Sequence, residues 1–283
     1  MLPTFVIGLR EGLEAALIVG IIAAFLNQEG RRDAMRWTWV GVGLAVLICL
    51  GVGAGLRVAS EQLPQREQEQ LETVIAVFAV GMITWMIVWM RRHAATLRSD
   101  LQGRADAALL AGSTIALVGM AFLAVLREGL ETAVFLLAVF QDTDDPLTTG
   151  GGAALGIAIA LVLGYVIYRG GVKLNLARFF KITGVVLVLV AAGLLSGAVH
   201  TAWEAGWWNI LLGEAADLSW LIKPGSVQSA LITGMFGIQS KPTTGEVLVW
   251  FLYAVPMTVY VLRAPRPLRQ PAIEREPATV SAS

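Results

Sequence analysis

A chain of 283 residues that is 56% hydrophobic and only 15% charged, with 21 bases balanced by 21 acids, is too apolar for an ordinary soluble domain. Its mean hydropathy is +0.69, and several apolar stretches are long enough to cross a bilayer, so it reads as an all-α, polytopic membrane protein. The single cysteine, Cys49, excludes an internal disulfide, an iron–sulfur cluster and a thiolate zinc site, and two histidines, His93 and His200, are too few for a histidine-rich metal centre, which leaves oxygen to bind any metal.

Apolar windows of about 20 residues predict seven spans. The first, near residues 4–26, lacks a basic n-region and a small-residue cleavage site, so it reads as a retained span and not as a removable signal peptide. Inside it stands "LREGLE", which brings Arg10, Glu11 and Glu14 to where lipid is expected. The second and third spans lie near 37–57 and 72–90. Met82, Met86 and Met90 form a stripe at helical spacing in the third, with Trp85 and Trp89 between them, and read as packing or lipid contact. The fourth, near 107–140, is longer than a bilayer requires, which predicts a tilt or an amphipathic start at the surface. It repeats "LREGLE" at Leu126 to Glu131. Spans near 152–169, 181–202 and 246–263 complete the set. Residues 204–245 form an external segment suited to lie on or dip into the interface, with Trp207, Trp208 and Trp220 at headgroup level. Residues 264–283 are Pro-rich and polar and read as a disordered cytoplasmic tail.

Basic residues accumulate on the cytoplasmic side. Outside the motifs, 15 lysines and arginines fall on one side of the predicted spans and four on the other, so the N-terminus is expected outside and the C-terminus inside. The outer face then carries 11 acids against four bases, a net of −7, and the inner face 15 bases against six acids, a net of +9. An acidic outer face concentrates cations near a pore mouth.

With that orientation the first and fourth spans run antiparallel and carry the same six letters, as in a 3+3 inverted repeat with one span added. Repeat one would cover about residues 1–91, repeat two about 107–203, and span seven would be the extra helix of a 1–263 seven-span domain. At 1.5 Å per residue the two motifs lie at overlapping depths, roughly 10 to 18 Å from the outer ends of their helices. Glu11 and Glu14, like Glu128 and Glu131, are three apart and share a face, while Arg10 and Arg127 reach the second glutamate across one turn. Gly12 and Gly129 allow another helix to come close. Six ionised groups facing lipid, at about 3 kcal/mol each, would cost more than a typical folding free energy. They must face inward, and four glutamates with two arginines leave a formal −2 that invites a bound cation. Carboxylate oxygens suit hard ions such as Mg, Ca, Mn and ferric iron. No P-loop or nucleotide fingerprint is present, so transport is expected to run on a gradient or a partner.

At these residues the chain resembles the oxidase-dependent iron permeases, the family of fungal Ftr and bacterial EfeU proteins, with the bacterial branch nearer. The likeness extends over "LREGLEAALIV", "PQREQEQLE", "REGLET", "GGVKLNLARFFK" and "HTAWEAGWWN". It implies a multi-pass permease of the cytoplasmic (inner) membrane, not an enzyme and without a resident cofactor, in which Glu11, Glu14, Glu128 and Glu131 bind iron in passage and Arg10 and Arg127 are the motif arginines. It also implies a periplasmic or lipoprotein iron-binding partner and a haem peroxidase, with no role for nucleic acid. The all-oxygen site tilts the expectation toward Fe³⁺ over Fe²⁺.

Candidates for the outer approach path are Glu67, Glu69 and Glu72 before the third span, Asp142, Asp144 and Asp145 after the fourth, and His200 with Glu204 at the end of the sixth. Each has a plainer reading: a dipole-favouring N-terminal acid, a solvated turn, and a helix-end histidine held by a local hydrogen bond. Rival functions are a permease for Mn²⁺ or Pb²⁺, an intramembrane di-iron oxidase, and a metal sensor. The oxidase ranks low because such sites use Glu-x-x-His and neither histidine follows a glutamate by three.

Overall fold

A computed structural model describes residues 1–61, 64–93, 114–141, 146–169, 175–207, 209–220, 222, 233 and 236–263. Seven long helices organise them: α1 (Leu2–Gln28), α2 (Arg32–Glu61), α3 (Gln65–His93), α4 (Thr114–Gln141), α5 (Pro146–Tyr168), α6 (Leu176–Glu204) and α7 (Thr244–Leu262). A single isolated bridge, Glu214 to Thr243, is the sole β-type pairing among the described residues. The all-α expectation therefore holds. Five of the helices, α2, α3, α5, α6 and α7, are long and apolar enough to cross a membrane. The other two, α1 and α4, are those whose apolar runs the repeated motif interrupts. The predicted fourth span starts at 107, whereas α4 begins at Thr114; residues 107–113, Asp142, Asp144, Asp145 and the tail 264–283 lie outside the described residues.

Two helix starts show how the sequence sets its boundaries. Asn175 accepts from the Arg178 amide at 3.0 Å to cap α6. Thr243 and Glu246 form a reciprocal capping box at the start of α7, each accepting from the other's backbone amide.

The packing is pairwise. α1 lies against α5, α2 against α4, α3 against α6, and α7 against α6, while α1 also meets α4. Helices α1, α3, α4 and α6 close a common core in which Ile7, Ile83, Phe135 and Leu187 are fully buried. The outward faces are apolar too: Leu47, Phe78, Leu123 and Leu252 are all exposed, a surface suited to lipid.

Lipid tails are as apolar as leucine, so helices in a bilayer associate through close van der Waals contact, which small residues permit. The α1–α5 seam is built this way. A Cβ added at Gly12 would lie 2.9 Å from the Ala160 Cβ, and one added at Gly164 would lie 2.6 Å from the Ala16 Cβ. At Gly156 it would run into the Phe5 carbonyl oxygen and stand 2.7 Å from the Leu9 amide nitrogen. Backbone cannot yield as a side chain can, so Gly156→Leu should part the two helices. The expected result is loss of the monodisperse peak in detergent size-exclusion chromatography. Gly151→Ala, where the nearest atom is the Met1 methyl at 3.8 Å, should keep that peak.

Part of the stretch between α6 and α7 turns back toward the bundle. Gly193 of α6 and Gly237 are in backbone contact, since a Cβ on Gly193 would lie 2.8 Å from the Gly237 nitrogen. That places Gly237 roughly 16 Å down α6 from its end at Glu204. The Trp250 indole donates to the Phe236 carbonyl at 2.8 Å and ties the same stretch to α7.

Candidate metal site

Where α1 meets α4, the two copies of the motif face each other. Glu11, Glu128 and Glu131 each bring a carboxylate oxygen to within 4.8 Å of the other two, and all three side chains are buried. Glu14, also buried, stands outside this trio. Its Oε1 is 3.4 Å from Arg10 Nη2. The acids are neither splayed apart nor each absorbed by its own base.

The two arginines differ. Arg10 is enclosed, with 1% of its side chain exposed, and its Nη1 lies 3.4 Å from Glu11 Oε1. The same nitrogen donates to the Met86 sulfur at 2.6 Å, and the guanidinium sits over the Phe180 ring at 5.8 Å. Arg127 is 47% exposed; its Nε donates to Glu131 Oε1 at 2.9 Å and lies 3.9 Å from Glu128 Oε1. Both reach the second glutamate of their motif, as the spacing requires.

Buried polar atoms nearly always find partners. Here Arg10 Nε, Glu11 Oε2 and Glu14 Oε1 have no hydrogen-bond partner, so the Arg10–Glu14 approach is an ion pair without hydrogen-bond alignment. An orphaned buried carboxylate oxygen costs its full desolvation. Three buried acids converging with two bases on their flanks, one of the three with an orphaned oxygen, make an oxygen-only cage that a hard cation would neutralise.

The motif glycines set the site's walls. Gly12 lets α5 approach at Ala160, and at Gly129 an added Cβ would meet the Cys49 sulfur of α2 at 2.5 Å. Between these helices runs a cavity of about 1170 Å³ whose lining includes Glu11 and Glu128. It extends from Arg57 and Glu72, at one end of α2 and α3, to Trp39 and Tyr168 at the opposite ends of α2 and α5.

Of the approach-path candidates, Glu72 is the one among those described that borders this cavity, and it accepts from Gln68 at 2.9 Å. Glu69 accepts from Gln65 at 3.1 Å, and Glu67 is exposed in the first turn of α3. His200 meets Glu204 at 3.5 Å, as its spacing anticipates, but its Nδ1 is closer to Glu246 of α7, at 3.0 Å. Asp142, Asp144 and Asp145 fall outside the described residues.

Sequence reasoning missed Met86, Phe180, Cys49 and Glu246. Met86 carries a packing signal, and it is buried in the core, but nothing local pairs its sulfur with Arg10 some 76 residues away. Trp85 and Trp89 were readable only as apolar filler; the Arg127 guanidinium stands over both rings, at 5.6 and 5.9 Å.

Buried carboxylates meeting between helices that are otherwise long and apolar are the pattern of an integral membrane protein with a functional polar site in its bundle. Comparison with known proteins makes this specific. The iron permease FTR1 family matches residues 1–268. The chain is 44% identical over 268 residues to the ferrous iron permease EfeU of Escherichia coli O6:K15:H31, covering 94% of this chain and 97% of that protein. The EfeU of Shigella sonnei shows the same figures, and that of Yersinia pestis is 43% identical over 268 residues, covering 94% and 95%. No solved structure matches. The chain belongs to the iron permease FTR1 family and is an integral membrane protein.

Proposed function

We propose that this chain carries iron inward across the cytoplasmic membrane, through a site formed by Glu11, Glu128 and Glu131 with Glu14 beside them. The observation that carries the reading is the meeting of three buried carboxylates from two separate copies of one motif. The 1170 Å³ cavity, which borders Glu72, Glu11 and Glu128, supplies the route from the acidic outer face.

The helix pairing supports a 3+3 inverted repeat. Exchanging α1, α2 and α3 for α4, α5 and α6 turns the α1–α5 contact into α4–α2, leaves α1–α4 and α3–α6 in place, and turns α1–α6 into α4–α3; every one of these contacts is present. Helix α7, which packs on α6, is the added element. With the N-terminus outside, release would follow rearrangement of the two halves. Iron would be delivered by a periplasmic or lipoprotein iron-binding protein and a haem peroxidase, which supply the redox chemistry this chain lacks.

The oxygen-only donor set favoured Fe³⁺ on hardness alone, whereas the relatives are named ferrous permeases. Carboxylates hold both ions, so Fe²⁺ is the form to offer first. In proteoliposomes, radioactive iron uptake should saturate with ascorbate-reduced iron and resist an equal concentration of Mn²⁺ or Pb²⁺. Uptake no faster than in empty vesicles with either oxidation state would overturn the reading, and stronger uptake of Mn²⁺ would replace it with the rival permease.

A further inference from the structure

The two motifs are identical in sequence, yet their arginines occupy unlike surroundings. Arg10 is held on every side: by Glu11 and Glu14 at 3.4 Å each, by the Met86 sulfur, and by the Phe180 ring. It has no open direction in which to move. Arg127 has one, for nearly half of its side chain is exposed.

Two indoles also face its guanidinium. Trp85 and Trp89, one turn apart on α3, are stacked with centroids 6.5 Å apart and an interplanar angle of 24°. The Arg127 guanidinium lies 5.6 Å from the first centroid and 5.9 Å from the second, within the range at which an aromatic face attracts a cation. The same guanidinium bonds Glu131 at 2.9 Å, and Glu131 is one of the three acids that converge. Arg127 is therefore shared between a carboxylate of the site and a pair of rings outside it.

That sharing matters when a multivalent cation arrives. A positive group bonded to a carboxylate of the trio repels the incoming ion at a few ångströms, and a buried setting screens this poorly. We propose that Arg127 is a displaceable counter-ion of the carboxylate site, and that the Trp85–Trp89 pair holds it once a cation takes Glu131. Arg10 is the fixed charge of the site and Arg127 the exchangeable one. The indoles act through Arg127 as positioning residues: they lower the cost of releasing Glu131 and so set the affinity for the ion. The inference rests on the iron-permease reading.

The test uses the full-length protein, with Fe²⁺ titrated calorimetrically under anaerobic reducing conditions and uptake measured in proteoliposomes. Trp85→Leu/Trp89→Leu should raise the dissociation constant and the half-saturating iron concentration about tenfold, the worth of a partly desolvated cation–π contact, and leave maximal uptake unchanged. Trp85→Phe/Trp89→Phe, which keeps aromatic faces, should recover most of that loss. With Arg127→Gln in place, the leucine pair should make no further difference. Parental affinity in the leucine pair, equal weakening in the phenylalanine pair, or an undiminished leucine effect without Arg127 would each overturn the proposal. A parental protein that binds no iron would sink the permease-site reading instead.

Discussion

Iron uptake by Glu128→Ala should fall about a hundredfold or more, whereas Glu14→Ala should cost about tenfold, since the proposed site takes Glu128 as a ligand and leaves Glu14 behind the ion, and loss of a ligand exceeds the penalty for a residue behind it. Both residues belong to an Arg-Glu-x-x-Glu motif, Glu128 as the first acid of its copy and Glu14 as the second acid of the other, and membership of the motif alone would assign them equal effects. Geometry separates them. Glu128 is one of the three acids whose oxygens lie within 4.8 Å of each other, while Glu14 is outside the trio and faces Arg10. The measurement is radioactive iron uptake normalised to protein in the membrane. Equal losses for the two variants would show that all four glutamates bind as a set.

Arg10→Met should be the most destabilising single change in the site. Removing one partner of a buried charge cluster leaves the others uncompensated, at a cost of about 3 to 5 kcal/mol. Arg10 is fully enclosed and faces both Glu11 and Glu14. Methionine keeps much of its bulk, so lost packing is a minor part of the effect. Thermal unfolding in detergent should shift strongly downward, and Arg10→Met/Glu14→Gln should regain a large share because it also removes an orphaned acid. Arg127→Met should shift it less, because that side chain is half exposed. A melting temperature for Arg10→Met equal to the parental one would mean that Glu11 and Glu14 do not depend on Arg10.

Much of this is legible in the sequence because the bilayer leaves few options. Apolar runs in lipid must close their backbone hydrogen bonds internally, so the helical architecture follows from hydropathy, and repetition of "LREGLE" marks the helices that meet at the acids. Periodicity also places each arginine one turn from its second glutamate. What the sequence hides depends on contacts between distant segments. Arg10 and Arg127 read alike until Phe180, Met86 and the two indoles take their places around them. His200 announces Glu204 four residues on, but Glu246 comes from another helix and is the nearer partner. The glycines of α5 are plain in "GGGAALGIAIALVLG", although nothing in those letters says that Phe5, Gly12 and Ala16 of α1 lie across from them.

That glycine-lined seam has an evolutionary corollary. Where two backbones touch, the permitted alphabet shrinks to residues no larger than the gap, whatever their polarity. Drift along the α1-facing side of α5 is thereby confined to a handful of tiny side chains. Across the bundle, the lipid-washed flank of α2 accepts almost any greasy substitute, so two equally hydrophobic helices should wander through sequence space at very different speeds.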